Sequence, residues 1–377
     1  MIYLDNSATT HKKPRAVIKA VNNALKNYSV NAGRGGYKLS IDAGLRVLQF
    51  RLNASCFFGL DNPENVIITK SCTEALNLAL FATAKKDGHI IISTFEHNSV
   101  ARAVTHLKST HNIGFSVVYP KENGIIEIND IEKEIQENTY LIVINHTSNV
   151  TGATQNITKI GNLCKNKKLK FLVDCAQSAG HEVINMNKQN INMLAVAGHK
   201  GLYGPQGIGL LLIQNVKLNQ PLLYGGTGSH SEKISQPDDI PDGYESGTQN
   251  LPSIFGLNAG IDYVKKNFDK INNKIAYLTK YLIDNIKNLN GINLYSHSEK
   301  NGVLAFSITD KDNNEVANIL DSKYKICLRN GLHCAPLAHS YLGTIEHGLL
   351  RVGISSFNKK REINKLIKAL KYILSGD

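Results

Sequence analysis

The chain has 377 residues, which at about 100–200 residues per domain suggests two or three structural units. Its composition, 42% hydrophobic and 20% charged with 30 Gly, 9 Pro and 6 Cys, excludes a disordered, collagen-like or disulfide-scaffold protein. A net charge of +12 is spread along helix-like stretches without a zinc-finger, RNP or basic-aromatic pattern, so no nucleic-acid partner is expected and attraction of a small anion remains. No apolar run approaches the roughly 20 residues of a membrane span. Residues 1–5 lack the basic-then-apolar start of a secretion signal. The expectation is a cytoplasmic protein with no membrane partner. The cysteines contain no CxxC pair, and no metal site is expected.

In chain order, an N-terminal helix is expected over 14–28. From 60 to 215, short apolar runs alternate with helical patterns. Strands are expected at 66–69, 89–94, 115–119, 140–145, 170–174, 193–197 and 207–213, and helices at 73–84, 99–110, 128–136 and 157–165. Such alternation predicts a mostly parallel sheet with helices on both faces, and ligands then bind beyond the carboxyl ends of its strands. Residues 222–250 are too long and polar for a simple connection and poorly suited to burial within one subunit. Long helices over 252–289, strands near 303–308 and 325–328, and a final helix after 358 predict a smaller α+β unit.

Two residues carry the strongest chemical signal. Asp174 ends the apolar run Phe171-Leu172-Val173, and Lys200 follows the next such run, so both stand at strand tips. An acid facing a pyridinium nitrogen and a lysine able to form a Schiff base are what pyridoxal 5'-phosphate requires. Ser71-Cys72-Thr73 precedes an apolar-periodic run, so free N–H groups and the helix dipole face an anion there. Among the cysteines, Cys56, Cys72, Cys164, Cys175 and Cys327 read as small buried hydrophobes. Cys334 lies instead in a polar, Gly- and Pro-punctuated loop beside His333 and near Arg329, and positive neighbours favour a thiolate.

These motifs stand in KFLVDCAQSAG (170–180) and VAGHKGLYGPQGIG (196–209). Together with YLDNSATT, GRGGYKLS, SCTEALN, FEHNS, TSNVTG, GGTGS, ESGTQN, RNGLHCAPL and LLRVG, they resemble the class V aminotransferase superfamily. Within it the resemblance is to the cysteine desulfurase and selenocysteine lyase family, of the group II kind with a compact cysteine loop. It extends over nearly the whole chain. The resemblance implies an α/β, fold type I enzyme with a large domain holding a mostly parallel seven-stranded sheet (15–255). Residues 1–14 and 256–377 would form a smaller α+β domain with the cysteine loop and a substrate arginine.

Residue by residue, the resemblance implies that Lys200 binds the cofactor, Asp174 holds its pyridine nitrogen and Gln177 its phenolic oxygen. His97 would stack on the ring, and Asn149 would lie near a ring substituent. Cys72, Thr73, His199 and Thr227 would serve the phosphate, Thr227 from a neighbouring subunit. Arg351 would bind the substrate carboxylate as a bidentate fork, with Arg329 a second candidate and Arg34 lent across a homodimer interface. Cys334 would take sulfur from L-cysteine as a persulfide and pass it to an acceptor protein or thiol, leaving L-alanine. The chain departs from the family pattern at Ala197, where a hydroxyl is common, and at Pro336, one residue early. Alternatives are a selenocysteine lyase acting on L-selenocysteine, an aminotransferase or lyase for another amino acid, and a non-enzymatic basic binding protein.

Overall fold

In the computed structural model, which describes residues 1–375, the chain begins with strand β1 (Ile2–Tyr3) and helix α1 (Arg15–Asn27). Helix α2 (Lys38–Phe58) follows, where the sequence reading expects no helix. The reason is its patterning. Ala43, Val47, Phe50, Ala54 and Phe58 are buried, while Ile41, Leu45, Leu48 and Leu52 face outward, so no single apolar stripe at helical spacing stands out.

Strands and helices then alternate as β2 (Val66–Thr69), α3 (Cys72–Ala82), β3 (His89–Ser93), α4 (Asn98–His111), β4 (Gly114–Val118), α5 (Ile128–Lys133), β5 (Thr139–Asn145), α6 (Ile157–Asn166), β6 (Lys170–Asp174), β7 (Met193–Ala197) and β8 (Gly209–Ile213). Each expected strand is present, its ends displaced by two residues at most. The seven strands form one sheet in the order β2-β8-β7-β6-β5-β3-β4. Only β8 runs antiparallel to its neighbours; the other pairs are parallel. Runs such as Ile90-Ile91-Ile92 and Leu141-Ile142-Val143-Ile144 are buried throughout because helices cover both faces. One core gathers Phe50, Phe58, Ile144 and Phe171; the opposite one gathers Leu76, Leu80, Ile92 and Val104.

Residues 222–250 hold only a single 3₁₀ turn (Asp242–Tyr244). The segment is nevertheless anchored within its own chain. Glu245 Oε2 lies 2.6 Å from Arg51 Nη2, both side chains under a tenth exposed, and Glu245 Oε1 accepts from the Ile68 N–H.

Helix α7 (Leu251–Ile286) is 36 residues long and deviates at Asn267, whose Nδ2 donates to the Tyr263 carbonyl at 2.8 Å. Ile254, Leu257 and Ile261 of its first part belong to the large-sheet core. Leu278, Leu282 and Ile286 of its last part belong to another core, beneath a second sheet. The chain continues through β9 (Ile292–Leu294), β10 (Val303–Ile308), α8 (Asn313–Ser322), β11 (Ile326–Cys327), β12 (Arg329–Gly331), α9 (Pro336–Tyr341), β13 (Leu349–Gly353) and α10 (Lys360–Ser375). The second sheet is antiparallel in the order β12-β13-β10-β9. The strand expected over 325–328 shrinks to β11, which pairs in parallel with β1 instead of joining that sheet.

The first residues are drawn against β13. The Asn6 N–H donates to the Gly353 carbonyl at 3.1 Å and the Gly353 N–H to the Leu4 carbonyl at 2.6 Å. A Cβ at Gly353 would lie 2.5 Å from the Ser7 nitrogen, so only glycine permits this approach. It carries Asp5 and Ser7 to the sheet edge where Arg351 emerges. No helix among the described residues is long and apolar enough to cross a membrane.

Candidate active site

Strands β6 and β7 are parallel neighbours with Asp174 opposite Ala195, so Asp174 and the residues after Ala197 leave the sheet at one edge. Asn145 ends the adjacent β5 opposite Asp174. There the strand tips wall a cavity of about 220 Å³ that Asp174, Gln177, Lys200, His97, Asn149 and Arg351 all line. Asp174 Oδ1 accepts from the Ala176 N–H at 2.8 Å and the Cys72 thiol at 3.6 Å; no described residue hydrogen-bonds Oδ2. Burial pushes the Lys200 ammonium below its usual value, with Asp174 opposing. No described residue hydrogen-bonds its Nζ. Gln177 Nε2 donates to the Ser7 carbonyl at 2.9 Å.

His97 caps the N-terminus of α4. Its Nδ1 accepts from the Ser99 N–H at 3.1 Å and lies 2.8 Å from Ser99 Oγ, which in turn is 2.7 Å from Thr73 Oγ1. Burial lowers the His97 pKa. A neutral ring accepting at Nδ1 carries its proton on Nε2.

The N-terminus of α3 supplies an anion cradle. The Ser71 side chain takes the Glu74 N–H at 3.1 Å, leaving the N–H groups of Cys72 and Thr73 outside the helical ladder. Gly209 is required behind it, because a Cβ there would stand 2.4 Å from the Ser71 carbonyl carbon. His199 adds a ring whose Nδ1 lies 2.9 Å from Thr9 Oγ1, and burial pushes it down to about 4, so it is neutral near pH 7. Ala197 lines the cavity without offering a donor.

The opposite wall comes from the second sheet. Arg351, 1% exposed, sits in β13 directly across from Arg329 in β12. Its Nη2 donates to Asp5 Oδ1 at 2.9 Å and its Nη1 to the Asn149 carbonyl at 3.0 Å, while Nε is buried without a partner. Asn149 Nδ2 donates to the His333 carbonyl at 2.7 Å, leaving its Oδ1 buried and unpaired. Arg329 Nη2 stands 3.3 Å from the half-buried Cys334 Sγ. His333 and Cys334 both adopt left-handed backbone (φ 51° and 58°), on the order of 1 kcal/mol of strain each for residues with a Cβ. Pro336 opens α9 at once, and the Cys334 carbonyl accepts from the Asn98 N–H at 2.7 Å, so the early proline marks a fixed loop.

Two readings of the sequence need correction. His333 is not a positive neighbour of Cys334: burial first, then Arg351, pushes it down to about 2, and the charge at the sulfur comes from the Arg329 guanidinium at 3.3 Å, with Arg351 acting from further away. Of the five cysteines read as buried hydrophobes, only Cys164 and Cys175 are buried. Cys56 is exposed near the end of α2, Cys72 lines the cavity, and Cys327 is half-buried with its thiol 3.7 Å from Asp321 Oδ1. Arg34 and Thr227, which the resemblance assigns to a neighbouring subunit's site, do not line the cavity of this chain. Arg34 is exposed and donates to the Gly226 and Gly247 carbonyls, and Thr227 Oγ1 donates to the Ser229 carbonyl. Asp5, Ser7, Asn145 and Ser99 are site residues that the sequence reading does not single out. For Ser99 the signal was its place two residues after a capping histidine; Asp5 and Ser7 sat inside a motif quoted as a whole.

The family profile described as Aminotransferase class-V matches residues 2–366. A probable cysteine desulfurase of Methanothermobacter thermautotrophicus is 31% identical over 380 residues, covering 99% of this chain and 94% of that protein. A probable cysteine desulfurase of Pyrococcus abyssi is 30% identical, covering 100% and 95%. A solved structure of cysteine desulfurase from Thermococcus onnurineus NA1 superposes with a TM-score of 0.92 at 28% identity, covering 100% and 95%. The chain therefore belongs to the class-V aminotransferase family and, within it, to the cysteine desulfurases.

Proposed function

We propose that this protein is a pyridoxal-phosphate-dependent cysteine desulfurase that converts L-cysteine to L-alanine and leaves the sulfur on Cys334 as a persulfide. The residues present fit the cofactor: two free N–H groups at the α3 start suit a phosphate, and an unpartnered lysine and a half-free Asp174 stand at the strand tips. When bound, the cofactor withdraws electrons from the substrate Cα and so weakens its C–H bond.

The chain's own residues would do the rest. Asp174 holds a proton at the pyridine nitrogen, and its Oδ1 is already fixed by the Ala176 N–H. Arg351 offers its buried, unpaired Nε to the substrate carboxylate while Asp5 and the Asn149 carbonyl hold the guanidinium plane. Lys200, its basicity reduced by burial, takes the Cα proton and returns one. Cys334 Sγ, held 3.3 Å from the Arg329 guanidinium, attacks the substrate sulfur as the Cβ–S bond breaks. The methyl group of alanine gains the proton, and a second thiol, on an acceptor protein or small molecule, then takes the outer sulfur.

The observation that carries this reading is the cysteine held 3.3 Å from an arginine whose side chain lines the same cavity as Lys200 and Asp174. A transaminase needs no sulfur nucleophile there. The test is Cys334→Ala with L-cysteine: alanine and persulfide formation should collapse while the cofactor absorbance band persists. Release of sulfide at the unmutated rate would sink the reading. Equal-enzyme rates with L-selenocysteine separate the lyase, whose weaker C–Se bond asks less of Cys334.

Assembly belongs to the same proposal. An exposed apolar row on α2 (Ile41, Leu45, Leu48, Leu52) and the position of Arg34 and Thr227 outside this chain's cavity support a two-fold homodimer in which each subunit lends both residues to its partner. Thr227→Ala should weaken cofactor retention without unfolding the chain, and a fully active monomer in light scattering would end this part.

A further inference from the structure

Behind the cysteine loop lie two histidines that the reaction above does not use. His333 is 1% exposed and His339 0%, their rings stacked at 5.6 Å. Three contacts join them into a row. Thr344 Oγ1 lies 2.8 Å from His339 Nδ1, His339 Nε2 lies 3.4 Å from His333 Nδ1, and His333 Nε2 lies 3.5 Å from the Arg329 carbonyl.

The far end sets the direction of the row. A carbonyl only accepts, so His333 Nε2 must carry the hydrogen, and on a neutral ring Nδ1 is then an acceptor. His339 then donates from Nε2, which leaves its Nδ1 to accept from the Thr344 hydroxyl at 2.8 Å, the shorter of that hydroxyl's two contacts, the other being the His339 carbonyl at 3.5 Å. Burial, which pushes the two rings down to about 2 and about 4, keeps both neutral near pH 7. The row runs in one direction from Thr344 to Arg329, the residue whose guanidinium touches Cys334 Sγ. His333 also carries the left-handed turn into Cys334, and its carbonyl takes the Asn149 amide.

We propose that Thr344, His339 and His333 form a directional hydrogen-bond chain that positions Cys334 against Arg329, which makes His339 a positioning residue for sulfur transfer. The proposal rests on the reading of Cys334 as the sulfur acceptor. It predicts that both rings are Nε2–H tautomers, with or without cofactor; an Nδ1–H tautomer on either ring in ¹⁵N NMR of the histidine-labelled full chain overturns it.

The kinetic arm uses the holoenzyme. His339→Leu deletes the donor, whereas His339→Gln keeps an N–H near the Nε2 position. After L-cysteine is mixed with His339→Leu, the cofactor absorbance change should keep its rate within about twofold while persulfide on Cys334 forms about tenfold more slowly, and His339→Gln should recover most of that loss. Thr344→Val against Thr344→Ser gives the same contrast from the other end should His339→Leu fail to fold. If both phases slow equally, or Gln rescues nothing, the residue is a packing element and the proposal falls. If the unmutated protein makes no persulfide, the desulfurase reading fails first and takes this role with it. If the unmutated protein makes persulfide and His339→Leu does so equally fast, only the positioning role is lost.

Discussion

The two walls of the cavity are built by different means. The wall from the large sheet is a row of strand tips: Asn145, Asp174 and the segment to Lys200 leave adjacent strands whose register is locked by buried neighbours on both faces. The wall from the second sheet depends on turns. Arg329 and His333 line the cavity, Cys334 stands beside them in left-handed backbone after two short strands, and Arg351 is oriented by Asp5, 346 residues away in sequence. The residues proposed to hold or move protons stand on regular structure; the proposed nucleophile stands on a loop held by hydrogen bonds. The difference also predicts how each wall fails.

The largest effect belongs to the strand-tip wall. Lys200→Ala should lower kcat about 10⁴-fold with the fold intact, since the residue proposed to move the Cα proton is gone; near-normal turnover by an alanine assay would move that role elsewhere. On the other wall, Arg351→Lys keeps the charge but loses both the Nε donor and the plane that Asp5 and Asn149 hold, and KM for L-cysteine should rise about a hundredfold with a smaller change in kcat. A matching loss in kcat would mean that Arg351 acts on the reacting atoms as well.

Acid should strain both walls alike. His146, just beyond β5, is 4% exposed with Nδ1 unpaired, and burial pushes it down to about 4; His339 stands at about 4 for the same reason. In the unfolded chain each titrates near 6.5, so between about pH 6.5 and 4 the unfolded state binds more protons and stability falls as pH falls. Each should cost about 2–3 kcal/mol between pH 7 and 4.5, read by urea unfolding. His146→Gln and His339→Gln should each flatten that slope; an unchanged slope would show that the ring is hydrated. The smallest effect tests orientation alone. Asp5→Asn keeps an acceptor for Arg351 Nη2 and should leave KM within about threefold, whereas Asp5→Ala should raise it about tenfold.

The unequal construction explains what could be read beforehand. Strands β2, β6 and β7 occupy the expected residues because a sheet covered on both faces writes itself as unbroken apolar runs ending in a polar residue. Asp174 and Lys200 were legible for that reason. Helix α2 was not, since apolar residues on both sides erase the periodic signal. Strand β12, Arg329-Asn330-Gly331, has no strand propensity of its own and exists by pairing with β13. The neutral state of His333 was equally hidden: it stands in a loop punctuated by Gly331 and Pro336, and only the fold buries it.

Helix α7 has a mechanical consequence. Its first turns are cemented into the large-sheet core and its last turns into the core of the second sheet, so one rod serves as a shaft between the two. Neither half can melt while the other keeps the shaft straight, and calorimetry of the full chain should show a single cooperative transition. The same shaft limits how one wall can travel relative to the other. The Asn267 deviation lies inside the stretch seated on the large-sheet core, since Ile261 before it and Ile271 and Ile275 after it all belong there; the crossing to the other core falls between Ile275 and Leu278, within one turn of unbroken helix, and any travel of one wall against the other must bend that turn.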